Sequence, residues 1–205
     1  MHAQVTPEDS RLLHSIPPAR VALIERIAQA APSPGKSGKA QNNLQQRFVR
    51  SYFRGVGEED LAERTPAALA SAAMDHLAFG SERRSAGESL VRVFNPERSR
   101  DGFESPHTVI MLVTDDAPFL VDSVGIVLRR CEFAVHLIVH PVLDVRRDGR
   151  GRMVELGANG SDKTHAESWQ LYEIDRQTDP AQLEKLKREI ETTLADVHVT
   201  VDDWG

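Results

Sequence analysis

The chain has 205 residues, of which 40% are hydrophobic, so it can build one large domain or two small ones around a sizeable core. Its formal net charge of -6 excludes the basic surface that nucleic-acid binding needs. No apolar run reaches the roughly 20 residues of a membrane span, and the N-terminus lacks a signal-peptide pattern. The single cysteine, Cys131, suits a reducing compartment. We therefore predict a cytoplasmic globular protein without nucleic-acid or membrane partners.

The first part of the chain has helical signals. A Pro-Pro pair at residues 17–18 can start a helix, and Thr65-Pro66 supplies a cap and a first-turn proline for another. Residues 32–38 are rich in proline, glycine and serine, which is typical of a flexible linker. These patterns predict a helical region at residues 1–84 with a linker at residues 32–40.

From Leu90 the hydrophobic period changes from helical to strand-like. Residues 90–94 predict an edge strand, and residues 98–104 a polar loop. Residues 109–114 form a β-branched-rich apolar run, which is typical of a strand covered on both faces. Residues 119–130 then have the spacing of a helix that packs back on that strand.

The next elements are predicted to complete an antiparallel sheet. Residues 133–145 alternate as a strand does, and Asp148-Gly149 is a hairpin-turn dipeptide before a returning strand at residues 153–156. The arginines that flank this turn are interpreted as a solvated hairpin tip. The arginines that flank the Asp148-Gly149 turn are Arg146, Arg147, Arg150 and Arg152. Residues 168–174 predict a further strand.

The C-terminal part begins with a clear helix signal. Asp179-Pro180 combines a cap with a first-turn proline. Alternating valines at residues 197–201 favour a last strand, although a continuing helix stays open. The predicted fold class is α+β: the N-terminal helical region, then a domain at residues 85–205 with a mainly antiparallel sheet and helices on one face.

The acidic turn between the buried strand and its helix is the first candidate site. Asp116 is predicted to cap the helix, and Pro118 to lie in its first turn. Unpaired backbone N–H groups at a helix start can receive a carboxylate ligand. The turn is therefore interpreted as an effector or interface site made of Asp115, Asp116, Ala117, Pro118, Phe119 and Leu120.

Two histidines form a second, weaker candidate. His136 and His140 lie four residues apart in a predicted strand, hence on one face, where Asp115 and Asp116 could stand nearby. A metal or acid–base site would need these groups to converge, and their spacing matches no metal motif. We therefore predict supporting residues, with no metal ligands and no catalytic residues.

The residues of the acidic turn carry a resemblance to a known family. Val109 to Val124 resembles the opening of an ACT domain, the ligand-sensing βαββαβ, ferredoxin-like module of amino-acid metabolism, which usually has Asp-x-Pro-Gly-Leu-Leu after its first strand. Residues 105–124, 140–149 and 167–169 more specifically resemble the N-terminal part of the large bacterial NAD-specific glutamate dehydrogenase. The resemblance runs from about Phe48 to Trp204.

The resemblance implies a regulatory or assembly segment of a long enzyme that oxidises L-glutamate to 2-oxoglutarate and ammonia with NAD. It places the NAD site and the catalytic residues in a later domain, so none is assigned here, and the segment needs no cofactor of its own. The implied partners are downstream domains of the same polypeptide, further copies of the chain and an amino-acid effector. The chain's end just after an apolar stretch agrees with a fragment.

Phe119 departs from the family pattern, because it stands where an ACT turn has glycine. Glycine lets backbone approach a ligand closely, so we predict that Phe119 fills this space and blocks amino-acid binding. Two alternatives stay open. One is a stand-alone ACT-type sensor of a small amino acid that controls a partner protein. The other is a small metal-dependent enzyme that uses His136 and His140.

Overall fold

The computed structural model describes residues 16–31, 39–157 and 164–202. The fold divides into two compact units, Met1–Met74 and Asp75–Gly205. Residues 32–38 of the predicted linker at 32–40 lie outside the described residues, whereas residues 39–40 were wrongly assigned to it because they belong to a helix that begins at Lys39. The expected division at residues 84 and 85 stays a prediction.

The described part of the first unit is helical, as its proline signals predict. Its elements are α1 (Pro18–Ala30), α2 (Lys39–Phe53), α3 (Glu58–Ala62) and most of α4 (Pro66–Gly80). Ile24, Ile27 and Phe48 are fully buried in its core. The Arg50 guanidinium donates two hydrogen bonds to the Glu25 carboxylate, at 2.6 and 3.0 Å, and so ties α2 to α1.

The second unit contains an antiparallel sheet of six strands. They are β1 (Leu90–Phe94), β2 (Thr108–Asp115), β3 (Val135–Val139), β4 (Val142–Arg147), β5 (Met153–Leu156) and β6 (His165–Ile174). Their order is β1-β2-β6-β4-β5, and β3 also pairs with β6. Strand β1 is at an edge, as predicted, and β2 is buried from Thr108 to Thr114. The predicted α+β fold class is confirmed.

One face of the sheet packs against α6 (Leu120–Arg130) and α7 (Pro180–Asp202). Helix α7 begins as predicted, because the Asp179 carboxylate accepts the Ala181 N–H at 2.9 Å. The hydrophobic side chains between these layers form the main core of the unit. They include Ile110, Leu112, Tyr172 and Ile174 from the sheet, and Leu120, Val124, Leu128, Leu186, Ile190 and Leu194 from the helices.

The opposite face of the sheet is covered by the last turns of α4. The prediction placed helices on one face only, so the sheet has helical cover on both faces. His76 is fully buried there, and its Nε2 lies 3.2 Å from the Leu112 carbonyl oxygen. Its ring centroid is 5.3 Å from that of Trp169. A Cβ atom at Gly80 would lie 2.2 Å from the Trp169 ring, so only glycine allows this approach. Burial lowers the pKa of His76 to about 3, which keeps the ring neutral.

The predicted strand at residues 197–201 was wrong, because α7 continues to Asp202. Val197 lies on α7 and packs against the main core of the unit. A strand that returned parallel to β6 by a crossover would reach the sheet edge beyond β2. That position is occupied by β1. The tertiary position therefore outweighs the local strand preference of these valines.

Three smaller predictions also need correction. The polar loop at residues 98–104 contains a short helix, α5 (Arg98–Asp101), which ends at Gly102 with φ 76°. The alternating run at residues 133–145 is split into β3 and β4 around Pro141, which has no N–H for the ladder. The predicted hairpin turn at Asp148-Gly149 is longer than a dipeptide, since β4 ends at Arg147, β5 begins at Met153 and the left-handed residue is Gly151 (φ 80°).

The hairpin differs from a two-residue turn because Asp148 organises it. The carboxylate oxygen Oδ1 of Asp148 accepts the N–H groups of Arg150 and Arg152 at 2.8 and 3.0 Å. The Asp148 N–H also donates to the Arg152 carbonyl oxygen at 2.9 Å. Such side-chain capping stabilises a longer loop than the dipeptide alone predicts.

Candidate functional site at the charged end of the sheet

The acidic turn joins β2 to α6 through a left-handed residue. Phe119 is the N-cap of α6, with φ 69°, and no side chain caps the helix. The predicted cap at Asp116 was therefore wrong, and Pro118 precedes the cap. The Phe119 carbonyl oxygen accepts the Ser123 N–H at 2.9 Å, which starts the helix directly after the turn.

Phe119 keeps the backbone conformation of a glycine while its side chain points away from the core. The residue is 71% exposed, so it is not buried against the sheet of its own chain. That it blocks amino-acid binding stays a prediction. A left-handed backbone is unusual for a bulky side chain and costs about 1–3 kcal/mol. The turn at Phe119 therefore destabilises the folded state, whereas glycine would adopt this conformation without strain.

Asp115 is engaged inside the protein. Its Oδ1 accepts a hydrogen bond from Arg84 at 2.5 Å, and its Oδ2 accepts the Gly87 N–H at 2.9 Å. Burial acts to raise the pKa of Asp115, but these hydrogen bonds outweigh it and hold the pKa below its usual value. The turn's first acidic residue thus anchors the loop that precedes β1.

Glu167 is the centre of this charged end. It is 1% exposed, and its Oε1 accepts hydrogen bonds from Arg84 and Arg147, each at 2.7 Å. Its Oε2 accepts a second bond from Arg147 at 3.0 Å and one from Trp169 Nε1 at 3.2 Å. A buried carboxylate is stable when its lone pairs are matched in this way. We call Arg84, Asp115, Arg147 and Glu167 the ionic network.

The two arginines of the ionic network also hold backbone segments. Arg84 donates to the Glu88 carbonyl oxygen at 2.9 Å. Arg147 donates to the carbonyl oxygens of Gly80 at 2.8 Å and Gly151 at 3.0 Å. The network therefore fastens residues 80–88 and the β4–β5 hairpin to the ends of β2 and β6.

A cleft of about 680 Å³ opens beside the ionic network. Besides the network residues, its lining includes the charged or titratable residues Arg83, Asp116, Asp148, Arg150 and His165. Its volume is that of a small-molecule site. Burial raises the pKa of Asp116, and the hydrogen bond to its carboxylate from Ala117 N–H offsets this only in part.

The histidine pair does not form a second site with the acidic turn. His136 Nε2 lies 2.8 Å from Asp175 Oδ1, and its ring stacks on His107 with centroids 4.1 Å apart. His140 is exposed and lies just after β3. The partners of His136 lie at the end of β6, whereas Asp115 pairs with the start of that strand. Within residues 16–31, 39–157 and 164–202, no three His, Cys, Asp or Glu residues form a metal site.

Sequence reasoning missed Arg84, Arg147 and Glu167. Arg147 was interpreted as part of a solvated hairpin tip, yet its side chain is only 10% exposed. The available signal was the position of Glu167, which lies on the same face of β6 as Trp169 and Leu171. A carboxylate on a face with large apolar residues needs buried cationic partners.

No helix in the described parts of the chain has the length and apolar character of a membrane span. The fold and the charged turn place the chain in the class of ACT-like α+β domains. A family model described as "Glutamate dehydrogenase, ACT1 domain" matches residues 48–190. The chain belongs to this family.

Curated relatives support the same family. The NAD-specific glutamate dehydrogenase of Pseudomonas aeruginosa is 32% identical over 160 residues, which cover 77% of this chain and 10% of that protein. The Halomonas elongata protein of the same name is 32% identical over 188 residues, or 91% of this chain and 12% of that protein. The Mycobacterium tuberculosis protein is 31% identical over 172 residues. The chain thus spans about a tenth of the length of these relatives.

Proposed function

We propose that this chain is a non-catalytic assembly or regulatory segment of a cytoplasmic NAD-dependent glutamate dehydrogenase. The whole enzyme would oxidise L-glutamate to 2-oxoglutarate and ammonia, with NAD bound in downstream domains of the same polypeptide. The observation that carries this proposal is the family match, which spans the whole sheet and most of its helices. The names of the relatives supply the reaction.

The ionic network supports assembly more than amino-acid sensing at the acidic turn. An effector's ammonium group would need a carboxylate there, and both oxygens of Asp115 already accept hydrogen bonds, so only Asp116 could serve it. Strong internal bonds of this kind rigidify the end of the sheet. A rigid end suits a surface that positions neighbouring domains.

The outer side of α6 is the proposed contact surface. Phe119 and Ile126 are 71% and 59% exposed. Phe119 is the N-cap and Ile126 lies in the middle of α6, so both exposed side chains belong to the surface of this helix and its start. Exposed large apolar side chains on one surface are typical of interaction sites. We infer that this surface contacts either a second copy of the chain or a downstream domain.

Light scattering on the purified chain tests self-association. We expect a mass above that of a monomer at high micromolar concentration, and a monomer mass for the Phe119→Ser/Ile126→Ser variant. Val199→Ser is the matched control, because Val199 is 63% exposed but lies on α7. A monomeric wild-type chain would contradict contact between copies and leave the downstream domains as the partner.

Two activity measurements test the enzyme part of the proposal. The purified chain should form no NADH from glutamate and NAD, and any glutamate-dependent NADH would contradict a non-catalytic role. Removal of the matching region from the Pseudomonas aeruginosa protein should alter its native mass or its response to amino acids while some turnover remains. Unchanged mass and unchanged response together would contradict the assembly or regulatory role.

The alternative of a stand-alone amino-acid sensor makes a different prediction. Asp116 is the acidic residue of the turn that the ionic network does not use. Calorimetric titration with a panel of amino acids that carry a single carboxylate would then show binding that Asp116→Ala abolishes. The assembly role predicts no heat from any of them.

A further inference from the structure

Two arginines that line the cleft are not used by the ionic network. Arg83 and Arg150 are exposed, and neither side chain makes a hydrogen bond or an ion pair with another described residue. Arg83 directly precedes Arg84, and Arg150 directly precedes Gly151. The Arg84 N–H donates a backbone hydrogen bond to the Gly151 carbonyl oxygen at 3.0 Å. That bond brings the two segments together, so both guanidinium groups belong to the same opening.

A third arginine contributes a buried donor. Arg84 lines the cleft and is 3% exposed, and its Nε has no hydrogen-bond partner among the described residues. A buried N–H without an acceptor is costly, because it has lost water and gained nothing in exchange. Arg84 thus places a buried guanidinium, with one N–H still unpaired, in the wall of the cleft.

The acidic residues around the cleft leave these donors free. Asp115 and Glu167 are engaged by Arg84 and Arg147. Asp148 uses Oδ1 to cap the hairpin and offsets part of the charge of Arg150, while Glu88 offsets part of the charge of Arg83. Neither pair is joined by an ion pair within the described residues, so the planar guanidinium donors remain available.

We propose that this cleft binds a small oxyanion, either a dicarboxylate or a phosphate-bearing metabolite, through the exposed guanidinium groups of Arg83 and Arg150, with Arg84 in the wall behind them. Carboxylate and phosphate share the geometry that the guanidinium fork recognises with paired N–H groups. A bound anion would join residues 83–86 to the β4–β5 hairpin. The inference goes beyond the proposed function, because such binding does not depend on an attached dehydrogenase.

Calorimetric titration of the 205-residue chain tests this site with three probes. Inorganic phosphate and succinate represent the two sources of oxyanion, and L-alanine represents a zwitterion. The test variant is Arg83→Gln/Arg150→Gln, which changes only exposed side chains and leaves the ionic network intact. Arg129→Gln is the control, since Arg129 is an exposed arginine on α6 that does not line the cleft.

We expect saturable binding of at least one dianion, weakened at least about tenfold in the double variant and unchanged in the control. Binding of phosphate alone would indicate a phosphate-bearing ligand, and binding of succinate alone a dicarboxylate. The proposal is overturned if neither dianion binds or if the double variant binds as well as the wild type. Binding of alanine alone, abolished by Asp116→Asn, would also overturn it and point to an amino-acid sensor.

Discussion

The two ends of strand β6 carry hydrogen-bonded carboxylates in opposite surroundings. At its start, the Glu167 side chain is 1% exposed and accepts four hydrogen bonds. Just after its end, the Asp175 side chain is 51% exposed and accepts bonds from His136 and the Ala134 N–H. Water and salt compete with the exposed pair but cannot replace a partner in the buried one. Burial, more than the number of charges, therefore decides which end stabilises the fold.

The largest expected effect is that of Glu167→Ala. Removing this carboxylate leaves Arg84 and Arg147 buried without their common partner, which costs about 3–5 kcal/mol of unfolding free energy. Urea denaturation measures the loss, and Glu155→Ala is the control because Glu155 pairs with Arg146 at the surface. A loss no larger than that of the control would break the comparison between the two ends.

A smaller effect concerns His76, a buried base on the same face of the sheet as Glu167. Its pKa is lowered by burial to about 3, while the unfolded chain takes up a proton near pH 6.5. The unfolded state therefore binds more protons between these values, so stability is complete above pH 6.5 and falls as the pH is lowered. The slope approaches about 1.4 kcal/mol per pH unit.

Urea denaturation at several pH values measures this slope. His76→Gln should flatten it, because glutamine cannot take up the proton. An equal slope in the variant would show that other groups cause the acid sensitivity. His198→Gln is a suitable control, since His198 is only partly buried and its Nε2 lies 2.7 Å from Thr114 Oγ1.

The smallest expected effect is that of Asp175→Asn at the exposed end. The His136 hydrogen bond holds the pKa of Asp175 below its usual value, with a smaller contribution from the Ala134 N–H. Because the pair is solvated, the urea midpoint should change little at low salt and not at all at high salt. A shift as large as that of Glu167→Ala would contradict the account.

Local signals predicted the elements that depend on neighbours in sequence. Asp179-Pro180 identified the start of α7, and the apolar run of β2 identified a strand buried on both faces. The end of α7 was not predictable in this way, because the valines at residues 197–201 favour a strand locally. Only the position of β1 at the sheet edge explains why the helix continues.

The charged site depends on partners far apart in sequence. Arg84 and Glu167 are separated by 83 residues, and no local pattern joins them. The sequence predicted a functional turn at Asp115 and Asp116 but could not distinguish the surroundings of the two residues. Their difference arises from the loop before β1, which brings Arg84 and the Gly87 N–H to Asp115 alone.

The most direct test compares Asp115→Asn with Asp116→Asn by urea denaturation at neutral pH. The fold lowers the pKa of Asp115, so its carboxylate stabilises the protein above the unfolded value of 3.8, and this contribution is lost as the pH falls through the folded pKa. The fold raises the pKa of Asp116, so ionisation there is unfavourable. The account predicts a lower urea midpoint for Asp115→Asn and an equal or higher one for Asp116→Asn. Equal losses at both positions, or a larger loss at Asp116, would contradict it.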